Sequence, residues 1–161
     1  MDRNVAFNLA ATALGLDASA DLRIGGNYTS LLQEDHLLYI SGQIPRIGDK
    51  VMVTGRVGDD VSVVQAQQAA EICVMRALTL LMQHLGDLAH IKRVMRMTVY
   101  VQSANGFTQQ SEVADGASNL LRQILGEAGL HTRTSVGVYQ LPKNAAVEID
   151  LVLALHRSTH T

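Results

Sequence analysis

Residues 41–45, Ser-Gly-Gln-Ile-Pro, place a hydroxyl and a small residue at the end of a predicted strand. A strand end exposes backbone N–H and C=O groups, and Ser41 adds a hydroxyl that can meet a ligand. Gly42 and Pro45 both interrupt strand pairing, so we expect the strand to end within this motif. The motif is a candidate ligand contact, and an ordinary strand terminus is the alternative interpretation.

Arg133 stands at the start of another predicted strand, in the stretch His-Thr-Arg-Thr-Ser-Val at residues 131–136. An arginine that points from a strand end into a cleft is suited to hold a carboxylate, because its planar fork donates two parallel hydrogen bonds. A surface salt bridge is the alternative, and the sequence alone favours neither.

Glu148 lies between Val147 and Ile149 in the last predicted strand. A carboxylate in the middle of a strand is either exposed at an edge or half-buried with a partner. If it is half-buried, it can orient or activate a water molecule.

Short motifs typical of nucleotide, zinc and serine-hydrolase sites are absent from the sequence. The single cysteine, Cys73, falls in the apolar stripe of a predicted helix, which indicates an inert core thiol rather than a nucleophile. His156 and His160 are four residues apart near the C-terminus, a spacing that suits a metal only on a stable helix. We therefore expect a solvated tail there, and neither a metal nor an organic cofactor.

The composition limits the function classes. The 161 residues contain 13 Lys and Arg against 15 Asp and Glu, a net charge of −2, with 47% hydrophobic and 17% charged residues. This balance argues against a general nucleic-acid binder, and no apolar run approaches the ~20 residues of a membrane span. A lone cysteine excludes an intramolecular disulfide and fits a reducing compartment, so we expect a cytoplasmic protein.

The N-terminal twenty residues allow two interpretations. Residues 18–20, Ala-Ser-Ala, imitate a signal-peptidase site, but Asp2 cancels the charge of Arg3 and polar residues interrupt the apolar stretch. Apolar residues there recur at helical spacing, which favours a short docking helix. We divide the chain into this extension at 1–20, a single domain at 21–156 and a tail at 157–161.

Hydrophobic periodicity predicts the elements of the domain. A hairpin is expected around residues 31–41. The first long helix, 61–85, is expected to be capped by Asp59 or Asp60 and to end at Gly86. The remaining predictions are an inner strand at 91–102, a second helix at 111–128 that ends at Gly129, and strands at 134–139 and 145–155.

This order of elements favours an α+β fold with a mixed sheet and two helices on one face. The last strand carries apolar residues on one face and a partly apolar mixture on the other, which includes Glu148 and Val152. A second face of that kind indicates that sheets are buried against each other in an oligomer.

Three of these segments together resemble the YjgF/Rid family, whose members are also called reactive-intermediate (enamine/imine) deaminases or endoribonuclease L-PSP-like proteins. They are residues 41–45, residues 133–136, and Leu-Pro-Lys at 141–143 followed by Val-Glu-Ile at 147–149. The resemblance covers roughly residues 22–155. Residues 106–108 and 116–121 are similar to the longer-chained YjgF/chorismate mutase-like branch.

The resemblance implies a chorismate mutase-like fold of the bacillary type, assembled as a homotrimer with ligand clefts between neighbouring subunits. It implies a hydrolase that converts 2-imino or enamino acids, such as 2-aminoacrylate, to 2-oxo acids and ammonia without a cofactor. By the same resemblance, Arg133 holds the substrate carboxylate and Glu148 is associated with the reacting water. The implied substrate-binding residues are Tyr28, Ser41, Gly42, Asn105 and Ser135.

Other functions remain open at this point. A non-catalytic trimer that binds small carboxylates or partner proteins needs the same fold and the same Arg133. Glu148 favours catalysis, because a carboxylate binder gains nothing from a nearby negative charge. Ribonuclease activity is disfavoured by the charge balance and sparse aromatics, and chorismate mutase activity by the lack of several convergent cations for a dianionic substrate.

Overall fold

The computed structural model describes residues 1–157, so most of the predicted tail, including His160, lies outside the described residues. The elements in chain order are α1 (Arg3–Ala13), β1 (Leu31–Glu34), β2 (Leu37–Gln43), β3 (Arg46–Ile47), β4 (Lys50–Val51), α2 (Val63–Leu85), β5 (Ile91–Gln102), α3 (Gln110–Leu125), β6 (Thr132–Val138) and β7 (Val147–Leu155). Short 3₁₀ turns follow α2 and α3 and precede β7.

Five strands form one mixed sheet in the order β1-β2-β7-β5-β6. The β1–β2 hairpin is antiparallel, as predicted, and its turn is possible because Asp35 adopts a positive φ of 54°. β5 pairs antiparallel with β7 and parallel with β6. The prediction that residues 91–102 form an inner strand is confirmed, and β7 is the other long inner strand.

Helix α2 begins two residues later than predicted, and its cap is neither Asp59 nor Asp60. Ser62 caps it, since its hydroxyl accepts from the Gln65 N–H while the Gln65 side chain accepts from the Ser62 N–H. Asp60 instead accepts a hydrogen bond from the Arg56 N–H in the preceding turn. The prediction that the helix ends at Gly86 is confirmed, with a φ of 74°.

Helix α3 is shorter than the predicted 111–128. Gly126 has a φ of 62°, which ends the α-helix at Leu125, and residues 126–129 continue as a 3₁₀ turn. The two long helices approach closely where they cross, because a Cβ on Gly116 would lie 2.6 Å from the carbonyl oxygen of Gln67.

Both long helices cover the same face of the sheet. Alternate residues of β7, from Val147 to Leu155, are buried beneath them. The opposite face of β7 carries Glu148, Asp150 and Val152, which are only partly buried. Tyr39, opposite Val152 in the register, is 44% exposed, so residues 1–157 leave this second face partly open. The α+β class and the position of both helices are thus as predicted.

Residues 3–13 form the expected N-terminal helix, and it is part of the hydrophobic core. Asp2 caps α1, and Phe7 is fully buried. Arg3 donates hydrogen bonds to the carbonyls of Leu88 (3.1 Å) and Ile91 (2.7 Å), so the helix is fastened to the start of β5.

Cys73 is fully buried in α2, with Sγ 3.7 Å from the carbonyl oxygen of Val147. Burial raises the pKa of the thiol well above its ordinary value, so little thiolate forms at neutral pH. We expect the native protein to react with a thiol reagent at least about a hundredfold more slowly than the unfolded chain, because reaction requires opening of the core. Cys73→Ser is expected to keep its activity. Rapid native labelling, or a folded serine variant without activity, would contradict the core-thiol interpretation.

Candidate functional site

One cleft of about 460 Å³ collects residues from five parts of the chain. Its walls are the segment 22–30, the end of β2 and the start of β3, the middle of α2, the 3₁₀ turn before β7, and the start of β7. Tyr28, Gly42 and Glu148, three of the predicted site residues, line it together. The lining also includes apolar side chains, among them Leu22, Ile24 and Leu80.

Gly42 packs directly on Glu148. A Cβ there would collide with Oε1 of Glu148 and lie 3.0 Å from its Cδ. The pairing of β2 with β7 shifts register between Ile40 and Gln43, and this irregularity brings the Gly42 backbone against the carboxyl group. The glycine of the Ser-Gly-Gln-Ile-Pro motif therefore makes space for the carboxyl group.

The Glu148 carboxyl is half-buried and has no salt bridge within residues 1–157. Burial, and secondly the neighbouring charge of Asp150, raise its pKa above the ordinary value of 4.5. A carboxylate of raised pKa is a stronger base, so this group is suited to take a proton from a bound water molecule.

The raised pKa predicts a pH-dependent effect of Glu148→Gln on stability. The folded chain holds the proton more tightly than the unfolded chain, so the ionised carboxylate lowers the free energy of unfolding above the raised pKa. This cost disappears below the unfolded value. We therefore expect Glu148→Gln to raise Tm at neutral pH, with a gain that shrinks as the pH falls through the raised pKa towards 4.5.

Thermal denaturation between about pH 4 and pH 8 measures this difference. Asp150→Asn is the matched variant, because it removes only the second cause and should give a smaller gain in the same direction. A Tm difference between Glu148→Gln and the wild type that stays constant across this range would contradict the burial of the charge.

Ser41 holds in place the wall of the cleft to which Tyr28 belongs. The Ser41 hydroxyl donates to the carbonyl of Thr29 at 2.7 Å, and its N–H donates to the carbonyl of Ser30 at 3.0 Å. These bonds hold the segment that carries Tyr28, which is 51% exposed. In one chain, Ser41 therefore positions the mouth of the cleft.

Arg133 lies away from this cleft and faces the helices. It forms an ion pair with Asp115 at 2.8 Å and donates to the hydroxyls of Ser111 (2.7 Å) and Ser118 (2.9 Å), all on α3. Its side chain is 20% exposed and borders a separate, smaller hollow. Within one chain, these contacts agree with the alternative interpretation, in which Arg133 forms a salt bridge.

Arg133 and Glu148 do not meet within one chain. β5 lies between β6 and β7, so the two residues are two strands apart, roughly 10 Å across the sheet. Tyr100 of β5 pairs with Glu148 on one side and with Val136 on the other, so Glu148 and Val136 lie at the same height in the sheet. Val136 is three residues from Arg133 in β6. Side chains three residues apart in a strand point to opposite faces.

The remaining two predicted residues lie on the Arg133 side of the sheet. Ser135 is two residues further along β6. Asn105 follows β5 and lines a third hollow, together with Arg56, Phe107 and Tyr139. The seven predicted residues therefore divide into a group around Glu148 and a group on the β5–β6 side.

Three arginines that the sequence did not single out also line the Glu148 cleft: Arg23, Arg46 and Arg76. Arg23 is largely exposed and forms an ion pair with Asp49. Arg76 is 4% exposed; its Nε donates to Oε1 of Gln43 at 3.2 Å, and its terminal nitrogen donates to the carbonyl of Arg46 at 2.9 Å. Burial, and then the charge of Arg46, lower the pKa of Arg76. The available signal was a charged residue in the middle of the apolar run of α2.

Residues 1–157 contain no group of three or more His, Cys, Asp or Glu side chains arranged to hold a metal ion. Over the same range, none of the helices has both the length and the apolar character needed to cross a membrane.

Comparison with known proteins identifies the family. Residues 7–155 match the model of the family described as "YjgF/chorismate mutase-like, putative endoribonuclease", so the chain belongs to this family. This confirms the predicted resemblance and its longer branch, and the match begins at residue 7, inside α1, rather than at residue 22.

Two relatives and one solved structure show the range of similar proteins. Protein TCP17 of Trypanosoma cruzi is 39% identical over 153 residues, which cover 94% of each chain. A 2-iminobutanoate/2-iminopropanoate deaminase of Dermatophagoides farinae is 29% identical over 131 residues, 81% of this chain and 87% of the relative. The crystal structure of Atu1372 from Agrobacterium tumefaciens, a protein of unknown function, is 39% identical, covers 96% of both chains and superimposes with a TM-score of 0.84.

Proposed function

We propose that this protein hydrolyses reactive 2-imino and enamino acids, such as 2-aminoacrylate, to 2-oxo acids and ammonia. The observation that carries the proposal is the half-buried carboxyl of Glu148, which lines a cleft of about 460 Å³ and has no salt bridge among residues 1–157. The similarity to a 2-iminobutanoate/2-iminopropanoate deaminase supports it.

The proposed reaction requires few catalytic groups. Glu148 takes a proton from a water molecule as the oxygen attacks C2 of the imine. That proton then passes to the nitrogen, which gives a tetrahedral intermediate with one hydroxyl and one amino group on C2. The hydroxyl proton moves to the nitrogen, the C–N bond breaks, and ammonia leaves as the C2 carbonyl forms. An enamino acid such as 2-aminoacrylate first becomes the imine by gaining a proton on C3 and losing one from the nitrogen. Because an imine is already electrophilic, orienting it beside an activated water is sufficient, and no cofactor takes part.

The proposed active unit is a homotrimer, with Arg133 of one subunit reaching the Glu148 cleft of its neighbour. Two observations support this arrangement. Arg133 and Glu148 are separated by a strand and point to opposite faces within one chain. The open face of the sheet carries exposed apolar groups, including Tyr39 and Leu32, that an assembly would bury.

In the assembled cleft, Arg133 binds the substrate carboxylate, while Asn105 and Ser135 complete the wall that the neighbouring subunit supplies. Tyr28 and Gly42 line the wall on the Glu148 side, and Ser41 holds the segment that carries Tyr28. We further propose a cytoplasmic location and no nucleic-acid partner, in keeping with one cysteine and a net charge of −2.

A coupled assay tests the proposal. An amino-acid oxidase or a dehydratase generates the imine, and the initial rates of 2-oxo acid and ammonia release are measured with and without the protein. We expect both rates to rise in proportion to protein concentration. Unchanged rates, together with binding of 2-oxobutyrate, would instead identify a non-catalytic carboxylate-binding trimer; cleavage of RNA in a parallel incubation would identify a ribonuclease.

A further inference from the structure

The Glu148 cleft contains two guanidinium groups that no carboxylate neutralises. Neither Arg46 nor Arg76 has a carboxylate oxygen within 4.0 Å among residues 1–157. Nε of Arg46 is buried and has no hydrogen-bond partner there. The two arginines are also close to each other, since Arg76 donates to the carbonyl of Arg46.

This arrangement is unfavourable for a chain without a ligand. Burial removes water from the charged groups, and each guanidinium raises the cost of the other through like-charge repulsion. Arg76 has hydrogen bonds from Nε and one terminal nitrogen, but both of its acceptors, on Gln43 and Arg46, are neutral oxygens. An anion between the two forks would supply the missing negative charge and an acceptor for Arg46 Nε.

Glu148 lines the same cleft but is not the missing partner. It has no salt bridge to either arginine, and the causes that shift its pKa are burial and Asp150, with no arginine among them. Apolar side chains such as Leu80 and Ile44 also line the cleft. The cleft thus contains a reacting carboxyl group and a pair of arginines that can bind an anion. Its apolar surface can contact the part of a ligand that lies between its reacting end and its anionic end.

We propose that Arg46 and Arg76 bind a second anionic group of the ligand, so that the substrate class is 2-imino acids with an additional carboxylate or phosphate. The inference rests on the proposed function for the reacting end of the molecule only, because anion binding can be measured without turnover. A planar guanidinium pair holds either group through charged hydrogen bonds.

Calorimetry with two matched 2-oxo acids tests this inference. 2-Oxoglutarate carries a second carboxylate and 2-oxobutyrate does not. We expect the wild type to bind 2-oxoglutarate at least about tenfold more tightly, and Arg46→Gln to lose about tenfold to hundredfold of that affinity while binding 2-oxobutyrate unchanged. Lys50→Gln is the control, because it removes a positive charge from the same β3–β4 hairpin but lies outside the lining of the cleft.

Arg76→Lys serves as the second variant, since it keeps the buried charge and loses only the fork; its Tm shows whether it folds. Inorganic phosphate forms a separate arm: phosphate binding that depends on Arg46, with both oxo acids bound alike, would assign the pair of arginines to phosphate. The inference is overturned if Arg46→Gln changes the binding of neither anion, or weakens both oxo acids equally. The latter result would mean that the pair binds the carboxylate common to both acids.

The coupled imine assay separates this result from the proposed function. If the protein deaminates 2-iminobutanoate and Arg46→Gln changes the affinity for none of the anions, only the proposed anion site at Arg46 and Arg76 is overturned. Arg46-dependent binding of 2-oxoglutarate without deamination of either imine would overturn only the catalytic proposal.

Discussion

Glu148→Gln is expected to lower the rate of imine hydrolysis by about a hundredfold or more, which is the usual contribution of a general base. The amide keeps the shape and one hydrogen-bond acceptor of the glutamate, but it has no charge with which to take a proton from water. Binding of 2-oxobutyrate is expected to stay the same or to become tighter, because the substitution removes a negative charge facing an anionic ligand.

Asp150→Asn is the matched control for this variant. It removes a carboxylate two residues further along the same face of β7, outside the lining of the cleft. It is expected to retain turnover, with a pH–rate profile displaced to lower pH because the charge of Asp150 contributes to the raised pKa of Glu148. Full turnover in Glu148→Gln would reject the general-base role and leave a binding cleft.

Arg133→Lys is expected to weaken binding of 2-oxobutyrate about tenfold to hundredfold, since an ammonium group cannot reproduce two parallel hydrogen bonds. The competing interpretation is structural, because Arg133 also contacts Asp115 and two serines on α3. This ion pair is only partly exposed and the serines add hydrogen bonds, so a purely structural arginine would give a fall in Tm and an unchanged Kd.

Asp115→Asn distinguishes the two roles further. It removes the ion pair and leaves the guanidinium in place with its bonds to the two serines, so ligand binding should survive while the structural contribution of the ion pair is lost. Weaker binding in Arg133→Lys with near-normal binding in Asp115→Asn supports the carboxylate clamp. Equal Kd values in all three proteins would remove Arg133 from the site.

Much of the fold could be predicted from the sequence, because the helices and inner strands bury apolar residues at regular spacings. The apolar stripe of α2 placed Cys73 in the core, and the two-sided character of residues 91–102 indicated an inner strand. The caps were less predictable. Asp59 and Asp60 are good capping residues, but the bridge between Val57 and Val61 holds them in a tight turn and leaves the cap to Ser62.

The site was predictable only in part, since contacts between distant segments depend on strand order and register. That Gly42 must pack on Glu148 follows from an irregularity in the β2–β7 pairing, which no local pattern reveals. The separation of Arg133 from Glu148 follows from β5 lying between their strands. Arg46 and Arg76 are thirty residues apart along the chain and meet only because α2 crosses the end of β2.

We propose that one cleft combines Glu148 of one subunit with Arg133 of another, and subunit complementation tests this arrangement most directly. Arg133→Lys and Glu148→Gln proteins are co-expressed with different affinity tags, and trimers that carry both tags are purified and assayed. In every trimer that carries both tags, one of the three clefts unites a wild-type Glu148 with a wild-type Arg133 from the neighbour, so about a third of wild-type turnover should return. Mixed trimers no more active than the two single variants would show that both residues act from the same chain, and would contradict the account.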